Sequence, residues 1–247
     1  SDYAVTLRTI ATDGPVTLYG GALGRRVVEH MARAGGLITL EDLVSYRTVE
    51  RAPVRGSYRG FEIAGCPPPT GGGIHLIQML NVLEGFDLTA LGYGTVDGIH
   101  VLAEAMKIAF ADRAAATGDP AFVDVPVERL AAKDYAAARR AAIDMGKAGA
   151  YTAAVGSEHG GPMTQAPQTP TGSPHTTHVT VADADGNVVA ATQTINNLFG
   201  SKAMVPGTGM LLNNTMALFD PNPGLALSVV PGKRTTSSMA PTMVLRD

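Results

Sequence analysis

Two adjacent threonines at the start of a strand are the residues in this sequence best suited to covalent chemistry. Thr176 and Thr177 follow residues 156–175, a stretch of Gly, Pro, Ser, Thr and His that we interpret as an exposed linker. A threonine hydroxyl is a weak nucleophile and needs a base within hydrogen-bond reach. Cutting the chain between His175 and Thr176 would free the α-amine of Thr176 as that base. The junction thus suggests self-cleavage, although linker-to-strand junctions with Thr are common.

Other catalytic motifs lack their defining residues. Gly71-Gly72-Gly73 is not followed by the Lys and Ser/Thr of a phosphate loop, and Gly207-Thr208-Gly209 has no third glycine for a dinucleotide loop. None of the six histidines pairs at metal-ligand spacing with a second candidate ligand on one helix face, and the single Cys66 excludes an intrachain disulfide framework and a cysteine zinc site. We interpret the three prolines at 67–69 and the three glycines as structural, and we expect no metal and no organic cofactor.

Composition narrows the class of protein. The chain has 247 residues, of which 45% are hydrophobic and 17% charged, with a formal net charge of −3. These values favour a folded core and exclude disorder for most of the chain. The near-neutral balance indicates neither a nucleic acid nor an anionic membrane as partner, and no apolar run approaches the roughly 18 residues of a membrane span. Because the chain begins at Ser1 without a leader, we expect a processed or trimmed piece.

Helical periodicity dominates the first 155 residues. Leu23, Val27, Met31 and Ala34 share one face of a helix that Gly35-Gly36 ends, and Thr39 with Asp42 forms a capping-box pattern. A single strand is predicted at 58–64, a helix after Gly73, and an Ala-rich helix at 127–145. A further helix is predicted to bury one apolar face and to present Lys107, Asp112 and Arg113 as a solvated or packing face; the apolar face consists of Ile99, Leu102, Ala103, Met106 and Phe110.

The period changes from helical to alternating after residue 175. Thr177, Val179 and Val181 alternate with more polar residues in a predicted strand, and Asp185-Gly186 forms the turn into a return strand at 188–195. Another strand is predicted at 242–245. Helices first and antiparallel strands second indicate an α+β fold.

At this junction the chain resembles the γ-glutamyltranspeptidase family of N-terminal-nucleophile hydrolases, whose small subunit begins Thr-Thr-His. The matching strings run in order along nearly the whole chain. They include Gly35-Gly36-Leu37-Ile38-Thr39, Pro67-Pro68-Pro69-Thr70-Gly71-Gly72, Ala111-Asp112-Arg113, Gly118-Asp119-Pro120, Thr176-Thr177-His178, Asp185-Gly186-Asn187, Thr192-Gln193-Thr194-Ile195-Asn196, Phe199-Gly200-Ser201, Gly209-Met210-Leu211-Leu212-Asn213-Asn214, Pro231-Gly232-Lys233-Arg234 and Ser237-Ser238-Met239-Ala240-Pro241-Thr242.

The resemblance implies part of an αββα sandwich divided into three segments. Residues 1–155 would belong to the mainly helical large subunit, 156–175 would be the flexible linker ending at the cleavage point, and 176–247 would begin the small subunit. Self-cleavage would give a large and small subunit heterodimer. The glycines of the family's oxyanion hole and its substrate-carboxylate arginine would lie outside this chain. Family members are largely exported, which favours a periplasmic or secreted protein.

The resemblance also assigns roles to individual residues. Thr176 would be the nucleophile and Thr194 would orient its hydroxyl. Asn196 would contact the α-amino end of a glutamyl substrate, and Ser237 and Ser238 would hold its α-carboxylate. The substrates would be a small amide or γ-glutamyl compound together with water or an amine acceptor.

Two positions depart from the family pattern. Leu218 stands where the family usually has an acidic residue for the substrate's α-ammonium, and Thr215 stands where a polar amide or acid is common. A leucine cannot compensate an ammonium, and the segment from Phe219 to Lys233 is short for a lid over the pocket. One alternative is therefore the same nucleophile acting on a non-glutamyl acyl group, as an acylase or in specialised metabolism. Another is an unprocessed, non-catalytic scaffold or binding relative.

Overall fold

The computed structural model describes residues 1–155 and 175–246 in two compact units. The first comprises Ser1–Glu50 and Thr194–Thr215 with the described part of Pro174–Thr176. The second comprises the described parts of Arg51–Ser173, Thr177–Gln193 and Met216–Asp247. Apart from His175, the predicted linker lies outside the described residues. The segment boundaries at 155 and 176 concern cleavage products and stay a prediction.

Helices fill most of the first half of the described chain, and antiparallel strands follow, so the α+β prediction is confirmed. None of the described helices combines the length and apolarity that crossing a membrane requires. The helices are α1 (Asp2–Asp13), α2 (Ala22–Ala34), α3 (Leu40–Ser45), α4 (Gly72–Leu83), α5 (Leu88–Leu91), α6 (Val96–Ala116), α7 (Val127–Ala131) and α8 (Lys133–Arg140). The strands are β1 (Val54–Tyr58), β2 (Phe61–Gly65), β3 (Thr176–Ala182), β4 (Val188–Thr194), β5 (Met204–Val205), β6 (Met210–Leu211) and β7 (Thr242–Leu245).

Local sequence signals fix the helix ends of the first unit. Gly35 takes the left-handed conformation (φ 72°) after α2, as its lack of a Cβ permits. The Thr39 hydroxyl then accepts a hydrogen bond from the Asp42 backbone N–H at 3.2 Å, and the Asp42 carboxylate accepts one from the Thr39 N–H at 2.7 Å. Both predictions are confirmed. This capping box lowers the pKa of Asp42, because hydrogen bonds from Thr39 stabilise its charged form.

The short β5–β6 hairpin of the first unit is anchored on two helices. The buried Thr6 hydroxyl of α1 donates to the Thr208 carbonyl at 2.8 Å, and Arg26 of α2 donates to the Gly207 carbonyl at 3.1 Å. A Cβ on Gly209 would lie 2.7 Å from the Tyr3 Cβ, so glycine permits the close approach of the hairpin to α1.

The second unit contains an antiparallel sheet in the order β1-β2-β7. The prediction of one strand at 58–64 was wrong, because residues 59 and 60 form a tight turn between two strands. Arg59 and Gly60 both have positive φ (49° and 85°), which matches the twist of a two-residue hairpin turn. The strand predicted at 242–245 is confirmed as β7, which pairs with β2.

Helix α4 packs its buried face on this sheet and on α7 and α8. Ile74 and Ile77 are essentially inaccessible and join Val54, Ile63 and Leu130 in one apolar cluster. Burial of each such side chain contributes on the order of 1.5–3 kcal/mol relative to exposure. The helix predicted after Gly73 is thus confirmed as the centre of this core.

Two helices replace the single helix predicted at 127–145. The chain is extended at Ala132 (ψ 139°), which separates α7 from α8. The Asn81 side-chain amide donates to the Ala131 carbonyl at 2.8 Å and thereby satisfies a carbonyl at the end of α7. This partner lies 50 residues away in the chain, so local periodicity could not indicate the break.

The predicted core face of α6 was wrong within the described structure. All five of its residues, Ile99, Leu102, Ala103, Met106 and Phe110, are exposed. The buried side instead carries small and aliphatic residues together with Glu104 and Asp112, which are 1% and 0% exposed. Buried carboxylates need hydrogen-bond partners, and these two find several. Arg113 is also buried beside Asp112. Of the two alternatives left open for these residues, a solvated face or a packing face, the structure shows a packing face for Asp112 and Arg113.

Asp112 is the centre of one buried polar network. Its carboxylate accepts hydrogen bonds from the Gln78 amide at 2.6 Å, the Tyr135 hydroxyl at 2.7 Å and the Ala154 backbone N–H at 3.0 Å. Arg139 lies 3.5 Å from the same carboxylate. Burial, followed by its bond to Asp112, raises the pKa of Tyr135 above its ordinary value. The network joins α4, α6 and α8 through one charged group.

His75 extends this network as a neutral ring. The Gln78 side-chain nitrogen donates to Asp112, so the Gln78 side-chain oxygen faces His75 Nδ1, at 2.8 Å. This oxygen therefore accepts a hydrogen bond from the Nδ1–H of His75. The other nitrogen, Nε2, lies 2.7 Å from the Thr117 hydroxyl and accepts from it. Burial lowers the pKa of His75 to about 4, in agreement with a neutral ring.

Candidate active site

Thr176 and Thr194 lie side by side at the open end of the β3–β4 hairpin. Thr176 begins β3 and Thr194 ends β4, with the turn at Asp185-Gly186 closing the far end as predicted. The Thr176 Oγ1 donates to the Thr194 Oγ1 at 3.1 Å. Thr176 is exposed, so a reactant can approach its hydroxyl. The structure thus brings the two predicted catalytic threonines into contact, directly after His175.

Asn196 continues the site from the end of β4. Its backbone N–H donates to the Thr194 Oγ1 at 2.9 Å, so this one oxygen accepts from both Thr176 and Asn196. Asn196 has a left-handed backbone (φ 73°), which asparagine tolerates better than most residues. Its side chain donates to the Asn214 carbonyl at 3.4 Å, and the Asn214 N–H donates to the Ile195 carbonyl at 3.3 Å. Two segments of the first unit therefore meet beside Thr194.

The 3₁₀ turn Thr215–Leu218 follows the paired asparagines. The Thr215 N–H donates to the Asn213 side chain at 2.9 Å, and Leu218 ends the turn half-buried. The next acid along the chain is Asp220, which is 2% exposed and accepts from the Asn222 backbone and side-chain amides at 2.8 and 2.9 Å. Asp220 therefore stabilises its own loop and does not replace the acid absent at position 218.

Ser237 and Ser238 lie in an extended segment before β7. The half-buried Ser237 donates its hydroxyl to the Thr70 Oγ1 at 3.0 Å, and its carbonyl accepts from the Gly71 N–H at 2.9 Å. Ser238 is exposed. Sequence reasoning left Thr70 without a role and treated the adjoining glycines as structural. The signal that could have found Thr70 is its position between a proline run and a glycine run at the start of a helix.

The predicted residues fall into two groups, one in each unit. Thr176, Thr194, Asn196 and Thr215 belong to the first unit, whereas the second unit holds the rest, Leu218, Ser237 and Ser238. The contacts above define each group separately.

The part of the chain that the structure describes contains neither an activated thiol nor a cluster of metal-binding side chains. Cys66 is half-buried without a disulfide partner, and burial raises the pKa of its thiol, which disfavours the reactive thiolate. Among residues 1–155 and 175–246, no three His, Cys, Asp or Glu side chains come together as a metal site. The hydroxyl pair is the candidate nucleophilic centre of these ranges.

Comparison with known proteins gives a consistent set of relatives. Acylase ACY 1 proenzyme of Pseudomonas sp. (strain SE83) is 57% identical over 247 residues, 100% of this chain and 42% of that protein. Glutathione hydrolase proenzyme of Escherichia coli (strain K12) is 40% identical, over 100% of this chain and 43% of that protein. The crystal structure of cephalosporin acylase from Bacillus halodurans matches 100% of this chain and 42% of its own, with a TM-score of 0.81 and 30% identity.

The chain thus spans about two fifths of the length of the curated relatives it matches. The sequence profile described as gamma-glutamyltranspeptidase matches residues 1–247. Together with the relatives and the structural match, this full-length agreement shows that the chain belongs to the γ-glutamyltranspeptidase family.

Proposed function

We propose that the full-length protein is a self-processing amide hydrolase of the acylase type. Its chain would be cut between His175 and Thr176, and Thr176 would then take the acyl group of an amide and pass it to water. The acyl group would carry a carboxylate but no α-ammonium. The family's γ-glutamyl compounds would be poorer substrates.

The chemistry would proceed in two balanced steps. The Thr176 Oγ attacks the amide carbonyl while its proton passes to the free α-amine, and the leaving amine receives that proton as the C–N bond breaks. Water then attacks the resulting ester, again giving its proton to the α-amine, and the acid and the threonine hydroxyl are released. The hydrogen bond to Thr194 would hold the Thr176 hydroxyl in one orientation before attack.

Leu218 is the observation that supports a substrate without an α-ammonium. In a closed site, loss of a charge-assisted hydrogen bond costs on the order of 1.5–3 kcal/mol, or about tenfold to a hundredfold in recognition of an ammonium. Asp220, the next acid, is buried and bonded to Asn222. A substrate without an ammonium loses nothing at this position.

The predicted carboxylate contacts remain compatible with such a substrate. Glutaryl and γ-glutamyl groups present a carboxylate at the same distance from the amide carbonyl and differ by the α-amino group. Ser237 and Ser238 would therefore bind either carboxylate, while Leu218 would discriminate between the two. The higher identity to the acylase proenzyme than to the glutathione hydrolase proenzyme, 57% against 40%, supports the same choice.

We place the described elements within the αββα sandwich of N-terminal-nucleophile hydrolases. Residues 1–155 would be part of the large subunit and residues 176–247 the start of the small subunit, held together as a heterodimer after cleavage. The similarity to the cephalosporin acylase structure supports this assignment.

A paired substrate assay tests the proposal. We expect full-length enzyme to hydrolyse glutaryl p-nitroanilide with a kcat/KM at least about tenfold above that for γ-glutamyl p-nitroanilide. Leu218→Asp should narrow or reverse this ratio, because it restores a counter-charge for the ammonium. Leu198→Asp, at an exposed leucine, is the matched control and should leave the ratio unchanged.

Two results would contradict it. If the wild type prefers the γ-glutamyl compound, the protein is a γ-glutamyl hydrolase or transferase rather than an acylase of this type. Hydrolysis of neither compound, together with a single uncut chain, would favour the non-catalytic relative.

A further inference from the structure

The start of α4 is bound to the Ser237 segment through Thr70. Thr70 is 8% exposed. Its hydroxyl lies 2.7 Å from the Met239 carbonyl and 3.1 Å from the Ser237 carbonyl, and it accepts from the Ser237 hydroxyl at 3.0 Å. A hydroxyl has one hydrogen, which the shorter distance assigns to Met239. The Thr70 side chain therefore forms hydrogen bonds with Ser237 and with Met239, the two residues that flank Ser238 in the bend 237–239.

Backbone contacts reinforce the same junction. The Gly71 N–H donates to the Ser237 carbonyl at 2.9 Å. A Cβ on Gly72 would lie only 2.1 Å from the Met239 carbonyl oxygen and 2.8 Å from the Ala240 Cα. Glycine at 72 is thus required for α4 to approach this segment so closely. The helix behind it is anchored in the apolar core through Ile74 and Ile77.

We infer that Thr70 is a positioning residue for carboxylate recognition, an inference that rests on the proposed function of Ser237 and Ser238. Thr70 links the rigid start of α4 to the bend, and so fixes the direction in which the two serine hydroxyls are presented. Its hydroxyl can also exchange roles with its neighbour. If Thr70 donates to Ser237 instead of accepting from it, the Ser237 hydrogen becomes available to a bound carboxylate.

Isosteric replacement separates this role from packing. Thr70→Val keeps the shape but removes the hydroxyl, and Thr70→Ser keeps the hydroxyl. Thr236→Val is the matched control, because the Thr236 hydroxyl is buried with no hydrogen-bond partner among the described residues and lies one residue before Ser237. All three would be made in the full-length enzyme. Each would be assayed on glutaryl p-nitroanilide and on pentanoyl p-nitroanilide, which has the same number of acyl carbons but no carboxylate.

We expect Thr70→Val to raise KM for the glutaryl substrate about tenfold, as loss of one such hydrogen bond predicts, with little change in kcat. KM for the pentanoyl substrate should not change, and this also shows that the variant is folded. Thr70→Ser should restore the wild-type KM, and Thr236→Val should match wild type on both substrates.

Other patterns would overturn the inference. Equal changes for both substrates, no change for either, or the same KM rise in Thr236→Val would each show that the Thr70 hydroxyl does not position the carboxylate contacts. Failure of the proposed function is read from the wild-type enzyme alone, which would then either prefer γ-glutamyl p-nitroanilide or hydrolyse none of the anilides. In the second case the inference falls with the proposed function, whereas in the first the comparison of Thr70→Val with Thr70→Ser still tests the inference.

Discussion

The β3–β4 hairpin and the α4–α6–α8 core organise polar groups in opposite ways. Every residue of β3 is exposed, and the Thr176 hydroxyl donates to the Thr194 hydroxyl at the end of the neighbouring strand. In the core, by contrast, Asp112 is fully buried and accepts hydrogen bonds from several elements. The proposed nucleophile thus lies where reagents can reach it, whereas the polar groups of the core are inaccessible and stabilise the fold. Mutations in the hairpin should change rate, and mutations in the core should change stability.

Removal of the proposed nucleophile gives the largest expected effect. Thr176→Ala in the full-length protein should abolish self-cleavage and lower kcat on the order of 10⁴-fold or more, because it removes the hydroxyl that would form the acyl-enzyme. Its thermal midpoint should stay within a few degrees of that of the wild type, since Thr176 is exposed. Thr177→Ala, at the adjacent exposed position, controls for local disturbance. Normal self-cleavage of Thr176→Ala would show that the hairpin does not carry the nucleophile at this position.

A pH effect on stability is expected from the core. The pKa of His75 is lowered from about 6.5 to about 4 by burial. Between these values the unfolded chain binds a proton that the folded chain does not, so stability should fall as the pH falls from 6.5 towards 4. The total is about 3 kcal/mol. Urea unfolding at several pH values would measure it.

The matching control is a histidine variant. His75→Gln should reduce the slope of unfolding free energy against pH in this range by about one proton, because the titrating group is gone. An unchanged slope in His75→Gln would mean that this ring is not held neutral by the core.

Loss of the Thr194 hydroxyl gives the smallest of these effects. Thr194→Val removes the acceptor for Thr176 and should lower kcat about tenfold to a hundredfold with a smaller change in KM. Thr194→Ser should recover most of the rate. Steady-state assays on glutaryl p-nitroanilide would measure kcat and KM for both variants. If Thr194→Ser were as slow as Thr194→Val, the methyl group rather than the hydrogen bond would be the important feature.

Local signals made several elements predictable from the sequence. The glycine stop after α2, the capping box of Thr39 and Asp42, and the turn at Asp185-Gly186 each depend on residues a few positions apart. The contact between Thr176 and Thr194 was expected from the family resemblance, and the short turn makes it geometrically simple. These features required no knowledge of distant neighbours.

Features that depend on distant neighbours were missed. The exposed apolar side of α6 was taken for its core face, because periodicity cannot show that Glu104 and Asp112 find hydrogen-bond partners inside. The break at Ala132 depends on Asn81, and the contact of Thr70 with Ser237 joins residues 167 positions apart. In each case a polar side chain satisfies a group that the sequence pattern alone does not connect to it.

The proposed chemistry requires that Thr176 becomes an N-terminal nucleophile. A denaturing mass spectrum of the purified full-length protein, before and after brief exposure to glutaryl p-nitroanilide, tests it most directly. We expect two masses that divide the chain between His175 and Thr176, with the glutaryl adduct on the fragment that begins at Thr176. A single uncut mass, or an adduct confined to the other fragment, would contradict it.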